Sequence, residues 1–188
     1  MINTTLFCIW LIPAEPYYAA LANKIQELSV AYEAPVFAPH VTLFCGKTKN
    51  IAQTKSDLTN LLTWQAPLVL TATVMDFTDE YYKTLFLQFE VDEVASGINA
   101  ALKKRLDQDS SYQFSPHLSL LYKNLPTTEK RKLSRVTEDA LNESVMTNKK
   151  MTFDQIMLVS DTAEKGPEAV KSWKILAKWN LQGKGIKS

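Results

Sequence analysis

The chain has 188 residues, of which 46% are hydrophobic and 22% are charged, and its formal net charge is +1. This composition fits one domain with a sizeable core and excludes wholesale disorder. Proteins that grip long nucleic acid usually carry a basic face, and the near-neutral charge argues against that class. A small anionic ligand held by a few local groups fits the charge balance better.

Membrane and secreted classes are not indicated either. No apolar run approaches the roughly 20 residues that a membrane span needs, and the first residues lack the basic region and cleavage site of a signal peptide. Cys8 and Cys45 form no disulfide framework and no CxxC motif, so we interpret them as buried free thiols of a cytoplasmic protein. With two cysteines and two histidines, the sequence predicts no transition-metal site.

The first half of the chain predicts the order strand, helix, strand, helix, strand. TLFCIWLI is apolar, rich in β-formers and stopped by Pro13, which is typical of a strand. Apolar residues then recur at three- and four-residue steps, which indicates one face of a helix. The predicted elements are a strand over residues 5–12, a helix over 14–33, a strand over 36–46, a helix over 51–64 and a strand over 68–77.

The same order returns in the second half, followed by one additional strand. The predicted elements are a strand over residues 83–91, a helix over 91–109, a strand over 114–123, a helix over 125–143, and strands over 152–161 and 172–181. Thr127 or Thr128 is the expected N-cap of the last helix. A repeat of this kind predicts an α+β fold, with two related lobes of antiparallel sheet and helices on their outer faces. We expect one domain over residues 1–188, with repeat units of about 4–78 and 83–182.

Two ten-residue stretches carry the repeat at the level of sequence. FAPHVTLFCG occupies residues 37–46 and FSPHLSLLYK residues 114–123, and they contain the two histidines of the chain, His40 and His117. The two histidine motifs are 77 residues apart, whereas a shorter match, TLF at 5–7 and TLF at 84–86, is 79 residues apart. The difference suggests that the connection from this strand to the histidine motif is two residues shorter in the second half.

Strand alternation predicts what the two motifs present to solvent. Side chains two apart on a strand face the same way, so His40 and Thr42 share one face and His117 and Ser119 share another. If the lobes are related by a pseudo-two-fold axis, two imidazoles and two hydroxyls meet in one cleft. A single His followed by Thr or Ser is typical of a half-buried polar pair, but two such patterns at equivalent places in a repeat favour a functional site.

This set of groups suits displacement at phosphorus without a metal. One neutral and one protonated imidazole can act as base and acid near physiological pH. Hydroxyl donors can hold the non-bridging oxygens of a phosphoryl group between the rings.

The paired PHVT and PHLS tetrapeptides, in a duplicated chain of this size, resemble those of the 2H phosphoesterase superfamily. The runs PHLSLLY and IWLIP are most similar to the cyclic nucleotide phosphodiesterases of the plant and yeast type. The resemblance implies a LigT-like fold and metal-independent hydrolysis, without a cofactor, of a 2′,3′-cyclic nucleoside phosphate to the 2′-phosphate. ADP-ribose 1″,2″-cyclic phosphate, hydrolysed to the 1″-phosphate, is the other implied substrate.

The resemblance also implies roles for individual residues. His40 and His117 would be the acid–base pair, with His117 as the base and His40 as the acid, and Thr42 and Ser119 would hold the phosphate. Tyr122 would contact the phosphate at the edge of the cleft.

Two aromatic residues match aromatic positions of the family, and we expect them to stack on a base. They are Trp10 and Tyr82, for which core packing and an exposed hairpin tyrosine are the respective alternatives. We expect a monomer whose partner is a small cyclic nucleotide.

Three other functions stay open at this point. A structural or adaptor role would need a large apolar patch, which the sequence does not reveal. An RNA 2′-5′ ligase-like enzyme, or RNA cyclic phosphodiesterase, would need a basic groove beyond the histidine cleft, and the near-neutral charge disfavours it. A non-catalytic nucleotide-binding module could have lost one of its histidines, but this sequence retains both.

Overall fold

The computed structural model describes residues 4–63, 65–142, 145, 149–161 and 166–183. Within these ranges, seven strands form one antiparallel sheet. They are β1 (Thr5–Pro13), β2 (Val41–Thr48), β3 (Leu68–Phe77), β4 (Leu85–Phe89), β5 (His117–Leu121), β6 (Lys150–Asp161) and β7 (Lys174–Asn180).

Helices lie between most of the strands and pack on the sheet. They are α1 (Tyr17–Tyr32), α2 (Ile51–Leu62), α3 (Glu93–Leu106), α4 (Thr127–Leu141) and the short α5 (Pro167–Ser172), and a 3₁₀ turn covers Tyr81–Lys83. Helix α1 packs on β5, α3 on β2 and α4 on β3. The α+β class, the antiparallel sheet and the helices are confirmed, whereas the short helix α5 was not predicted.

The sheet closes on itself, because β1 pairs with both β2 and β6. The strand order β1-β2-β5-β4-β3-β6 therefore forms a ring, and β7 extends it from the free edge of β6. When each strand number is advanced by three, β1–β2 corresponds to β4–β5 and β3–β4 to β6–β1, while β2–β5 and β3–β6 correspond to themselves. This symmetry places the two histidine strands side by side, where β2 and β5 pair only through Val41 and Leu118.

The apolar run of β1 is continuous because both faces of that strand are buried. Phe7, Ile9 and Leu11 enter the main core under the helices. Cys8 and Trp10 point to the opposite face, where they belong to a second, smaller cluster. A strand covered on two sides needs no polar alternation, which explains the uninterrupted sequence TLFCIWLIP.

Several predicted boundaries are wrong at the ends of elements. The strands of both motifs begin at Val41 and His117, so the Phe-x-Pro segments before the histidines are not part of the strands. Helix α4 begins after Pro126, which caps it without a side-chain hydrogen bond, so the predicted cap at Thr127 or Thr128 is wrong. Proline is compatible with this place because the first N–H groups of a helix have no intrahelical partner.

The prediction of free thiols is also wrong. Cys8 and Cys45 lie opposite each other on β1 and β2 and form a disulfide. This removes the support that free thiols gave to a cytoplasmic location. Among the residues described, none of the helices has the length and apolar character to cross a membrane.

Candidate active site

A cleft of about 260 Å³ opens where β2 and β5 diverge. His40, Thr42, His117 and Ser119 all line it. Their strand neighbours face the core, since Val41, Leu43, Leu118 and Leu120 are fully buried. The arrangement brings together the four polar side chains that the two motifs were expected to contribute.

Each motif strand contains a β-bulge directly after its hydroxyl residue. In β2 the bulged residue is Leu43, because Trp10 pairs with Thr42 and Ile9 with Phe44. In β5 it is Leu120, because Phe86 pairs with Ser119 and Leu85 with Leu121. A bulge shifts the alternation of side chains by one residue. In β2, it returns Cys45 to the cleft face.

These registers correct the shorter sequence repeat. The structural counterpart of Phe86 is Trp10, since each pairs with the hydroxyl residue of its motif. Phe7 instead pairs with Gly46, so TLF at 5–7 and TLF at 84–86 do not occupy equivalent places.

Backbone carbonyls orient both imidazoles in the same way. The Nδ1 atom of His40 lies 2.6 Å from the carbonyl oxygen of Ala38, and Nδ1 of His117 lies 2.7 Å from that of Ser115. A carbonyl can only accept, so Nδ1 carries a proton in each ring and donates it. The neutral form of each histidine then keeps its lone pair on Nε2, the atom that a general base needs.

The two histidines differ in their surroundings. His40 is only 7% exposed, and the Trp10 ring stacks on it with centroids 3.8 Å apart. Burial lowers the pKa of His40 from 6.5 to about 4, against the opposing effect of its bond to Ala38. His117 is less buried, and burial also lowers its pKa, while the charges of Lys83 and Glu80 act in opposite directions.

The hydroxyl residues are held by their neighbours. Ser119 Oγ donates to the carbonyl oxygen of Tyr82 at 2.8 Å, which ties β5 to the 3₁₀ turn. The Tyr112 hydroxyl donates to the backbone carbonyl of Thr42 at 2.7 Å. Because β2 and β5 pair only through Val41 and Leu118, this hydroxyl supplies the Thr42 carbonyl with a donor that the neighbouring strand does not provide.

Aromatic rings form much of the remaining wall. Tyr122 is buried, and its ring stacks on that of Phe37 with centroids 3.8 Å apart. Trp10, Tyr82 and Tyr122, the three aromatic residues expected at the site, all line the cleft. Tyr82 is partly buried and packs against Tyr122, which differs from a fully exposed hairpin tyrosine.

Sequence reasoning missed several residues of the cleft, including Trp173, Asp161, Tyr112 and the two cysteines. Trp173 follows a short helix that has no counterpart in the first repeat unit, and no motif marks it. Cys8 could have been placed from its spacing of two to Trp10 on the same strand. Cys45 could not, because only the bulge turns it toward the cleft.

The described residues do not include a group of three or more His, Cys, Asp and Glu side chains that could hold a metal ion. The expectation of metal-independent chemistry stays a prediction.

A comparison with protein-family models identifies the family. The model described as "Cyclic phosphodiesterase-like protein" matches residues 6–181 of the chain. This chain belongs to that family. The match confirms the resemblance to the 2H phosphoesterases that the two histidine motifs carry.

Solved structures confirm the fold of this cyclic phosphodiesterase-like protein. Escherichia coli LigT complexed with 3′-AMP has a TM-score of 0.56 and 16% sequence identity, and the match covers 96% of this chain and 99% of LigT. A protein from Thermus thermophilus has a TM-score of 0.56 and 16% identity, with 96% of this chain and 100% of the other covered. Escherichia coli LigT complexed with NADP+ has a TM-score of 0.53 and 18% identity, with 95% and 99% covered. No curated protein matches the chain.

Proposed function

We propose that this protein is a metal-independent cyclic phosphodiesterase that hydrolyses a nucleoside 2′,3′-cyclic phosphate, or a related cyclic phosphate such as ADP-ribose 1″,2″-cyclic phosphate, to a phosphomonoester. The observation that carries the proposal is the pair of imidazoles with Nδ1 anchored on a backbone carbonyl. Both line one cleft with a hydroxyl residue two positions further along the chain. Such a pair can accept one proton and donate another across a single phosphoryl group.

The reaction needs one water molecule. Its oxygen attacks phosphorus while its proton passes to the neutral histidine, and the bond from phosphorus to one ribose oxygen breaks. The protonated histidine gives its proton to that leaving oxygen. The products are a phosphomonoester and a free ribose hydroxyl, and proton exchange with solvent resets the two rings.

The difference in burial supports His40 as the base and His117 as the acid, the reverse of the assignment drawn from the family resemblance. The deeply buried His40 stays neutral to a lower pH than the more exposed His117. A bound phosphate anion raises the pKa of both rings, and His117 takes up a proton first.

Thr42 and Ser119 are placed to hold non-bridging oxygens of the phosphate. Rotation of the Ser119 hydroxyl away from the Tyr82 carbonyl would free its proton for this purpose. The aromatic wall supplies faces for a nucleobase, since base–aromatic stacking contributes about 1–3 kcal/mol per base. Structures of the fold-related Escherichia coli LigT contain the small nucleotides 3′-AMP and ATP, which fits a ligand of this size.

The test is incubation of the pure protein with 2′,3′-cyclic AMP in the presence of EDTA, with the product identified by ³¹P NMR. We expect hydrolysis to the 2′-phosphate, and a loss of at least about 100-fold in turnover for His40→Ala and for His117→Ala. Near-full activity in either variant would exclude the paired-histidine mechanism. Abolition by EDTA would indicate a metal-dependent enzyme, and binding without turnover a nucleotide-binding module.

A sulfur-substituted substrate tests the roles of the two histidines. A thiol has a pKa of about 8.5, so a thiolate leaves without help from an acid. With a cyclic substrate whose leaving oxygen is replaced by sulfur, His117→Ala should recover most of its lost activity and His40→Ala should not. Recovery in His40→Ala alone would restore the assignment with His117 as the base.

A further inference from the structure

Trp173 lies outside the symmetric part of the fold. The six strands of the ring correspond in two sets of three, but β7 has no partner in this correspondence. Trp173 directly precedes β7 and lines the catalytic cleft. Trp173 therefore adds a side chain to the site that has no equivalent in the other half of the fold.

Among the described residues, the Trp173 ring contacts the His40 ring but not the His117 ring, and it also packs against Tyr82 and Tyr122 with centroids 6.0 and 6.1 Å away. It meets the Trp10 ring edge-on with centroids 5.2 Å apart, and the His40 ring with centroids 6.4 Å apart. Since Trp10 itself stacks on His40, the two indoles form a continuous apolar cover over that imidazole.

A hydrogen bond fixes this cover in place. Nε1 of Trp173 donates to Oδ1 of Asp161 at 3.2 Å. The other carboxylate oxygen of Asp161 lies 3.7 Å from Cys8 Sγ, so the end of β6 is packed against the disulfide wall. The position of the indole is thus determined by β6 and not by a mobile surface contact.

The equivalent place beside His117 is built differently. Phe86, the counterpart of Trp10, meets the His117 ring edge-on with centroids 5.6 Å apart. The Phe86 ring also contacts a cation, since Lys83 Nζ lies 4.3 Å from its centroid. His117 accordingly retains more exposure to water than His40.

We propose that Trp173, held by Asp161, is a positioning residue that makes the two histidines inequivalent by shielding the His40 ring from bulk solvent while His40 still lines the cleft, so that His40 serves as the base and His117 as the acid. This assignment of roles rests on the proposed function. The pseudo-symmetric ring alone would allow the reaction to run with either histidine as base, and the added strand removes that ambiguity.

The ionisable groups that share the cleft with His40 come from several elements. They are His117 on β5, Tyr122 after β5, Tyr82 in the 3₁₀ turn, Tyr112 before β5 and Asp161 at the end of β6. Burial raises the pKa of Tyr112 and of Tyr122, and the Asp161 carboxylate would favour a protonated His40. Burial is therefore the largest cause that lowers the pKa of His40, and the charge of the nearby His117 acts in the same direction.

The experiment is an NMR titration of the imidazole Hε1 signals in the intact protein. The chain has two histidines, so two signals are followed, and His117→Gln assigns them. In Trp173→Ala, we expect the titration midpoint of His40 to rise by about one pH unit or more, because water reaches the ring. The midpoint of His117 should move less, and Trp173→Phe should give a smaller rise for His40.

Trp179→Ala is the matched control. This tryptophan lies on β7, and its Nε1 donates to Thr59 at 3.0 Å, away from the cleft. Its replacement should leave both midpoints unchanged. An unchanged His40 midpoint in folded Trp173→Ala overturns the proposal, and Trp173→Phe decides the question if Trp173→Ala does not fold.

The acid limb of the pH profile gives a second readout. In Trp173→Ala, the acid limb of the kcat/KM profile should move to higher pH together with the titration midpoint of His40. If no cyclic phosphate is hydrolysed, the proposed function fails, but the titration still determines whether Trp173 seals His40.

Discussion

Lowering the pH should reduce the unfolding free energy of the wild-type protein more than that of the His40→Gln variant. His40 has a pKa of about 4 in the folded protein because it is buried, against 6.5 for an exposed histidine. As the pH falls below 6.5, the unfolded chain binds a proton at this position and the folded protein does not. Stability is therefore lost between about pH 6.5 and pH 4, and the loss from this residue levels off below its folded pKa.

The magnitude follows from the two pKa values. Each pKa unit corresponds to about 1.4 kcal/mol, so the fall from 6.5 to about 4 amounts to about 3 kcal/mol. Gln does not titrate and keeps an amide donor that can reach the Ala38 carbonyl. Between pH 7 and pH 4, the unfolding free energy of the wild-type protein should therefore fall by about 3 kcal/mol more than that of His40→Gln.

Urea unfolding at half-unit steps from pH 7 to pH 4, followed by tryptophan fluorescence, measures both curves. The carboxylates are shared by the two proteins and cancel in the difference. His117→Gln is the control, and it should recover less stability at low pH because His117 is less buried. Parallel curves for the wild-type protein and His40→Gln would refute the conclusion that His40 is held neutral.

Four further substitutions are informative. Thr42→Val and Ser119→Ala should each lower kcat by roughly 10- to 100-fold, since each removes a charge-assisted hydrogen bond of about 1.5–3 kcal/mol. Cys8→Ser should lower the unfolding free energy by about 3–4 kcal/mol, because the disulfide closes a loop with a sequence separation of 37 residues, and urea unfolding measures this. Lys130→Met should lower the unfolding free energy by about 1–3 kcal/mol and raise KM. The buried Lys130 Nζ donates to the backbone carbonyl of Thr78 and to the carboxylate of Asp79, just before the 3₁₀ turn that lines the cleft.

Each of these changes has a control or a contradicting result. A rise in KM with kcat unchanged in Thr42→Val would mean that this hydroxyl binds substrate and transition state equally. The disulfide estimate fails if a reductant destabilises the wild-type protein as little as it does Cys8→Ser. Lys132→Met replaces an exposed lysine of the same helix and should have no effect. If the two lysine substitutions had equal effects, the hydrogen bonds of Lys130 would not be what stabilises the protein.

Local sequence determined most of the helices and strands and the four polar side chains of the two histidine motifs. Strand alternation alone predicts that His40 and Thr42 share a face opposite Val41, because this depends only on backbone geometry. The duplicated order of elements likewise predicts two equivalent histidine strands. The first feature is encoded within a few residues, and the second is visible along the chain without knowledge of any tertiary contact.

Tertiary structure decided the disulfide, because it depends on a register that the sequence does not show. Strict alternation after Thr42 would turn Cys45 toward the core, and the extra residue Leu43 in the bulge reverses that direction. The pairing with Cys8 then follows from the antiparallel alignment of β1 and β2. No local pattern distinguishes a strand with such a bulge from one without it.

The inequivalence of the two histidines also belongs to the tertiary structure. The two motifs are nearly the same in sequence, and each anchors its ring on the backbone carbonyl two residues before the histidine, so local chemistry makes His40 and His117 alike. Their surroundings differ instead, because Trp10 stacks on His40 and the His40 ring also contacts Trp173, which is 133 positions away along the chain. Burial is a property of everything that surrounds a side chain, and so the pKa of an imidazole cannot be obtained from its own neighbours in sequence.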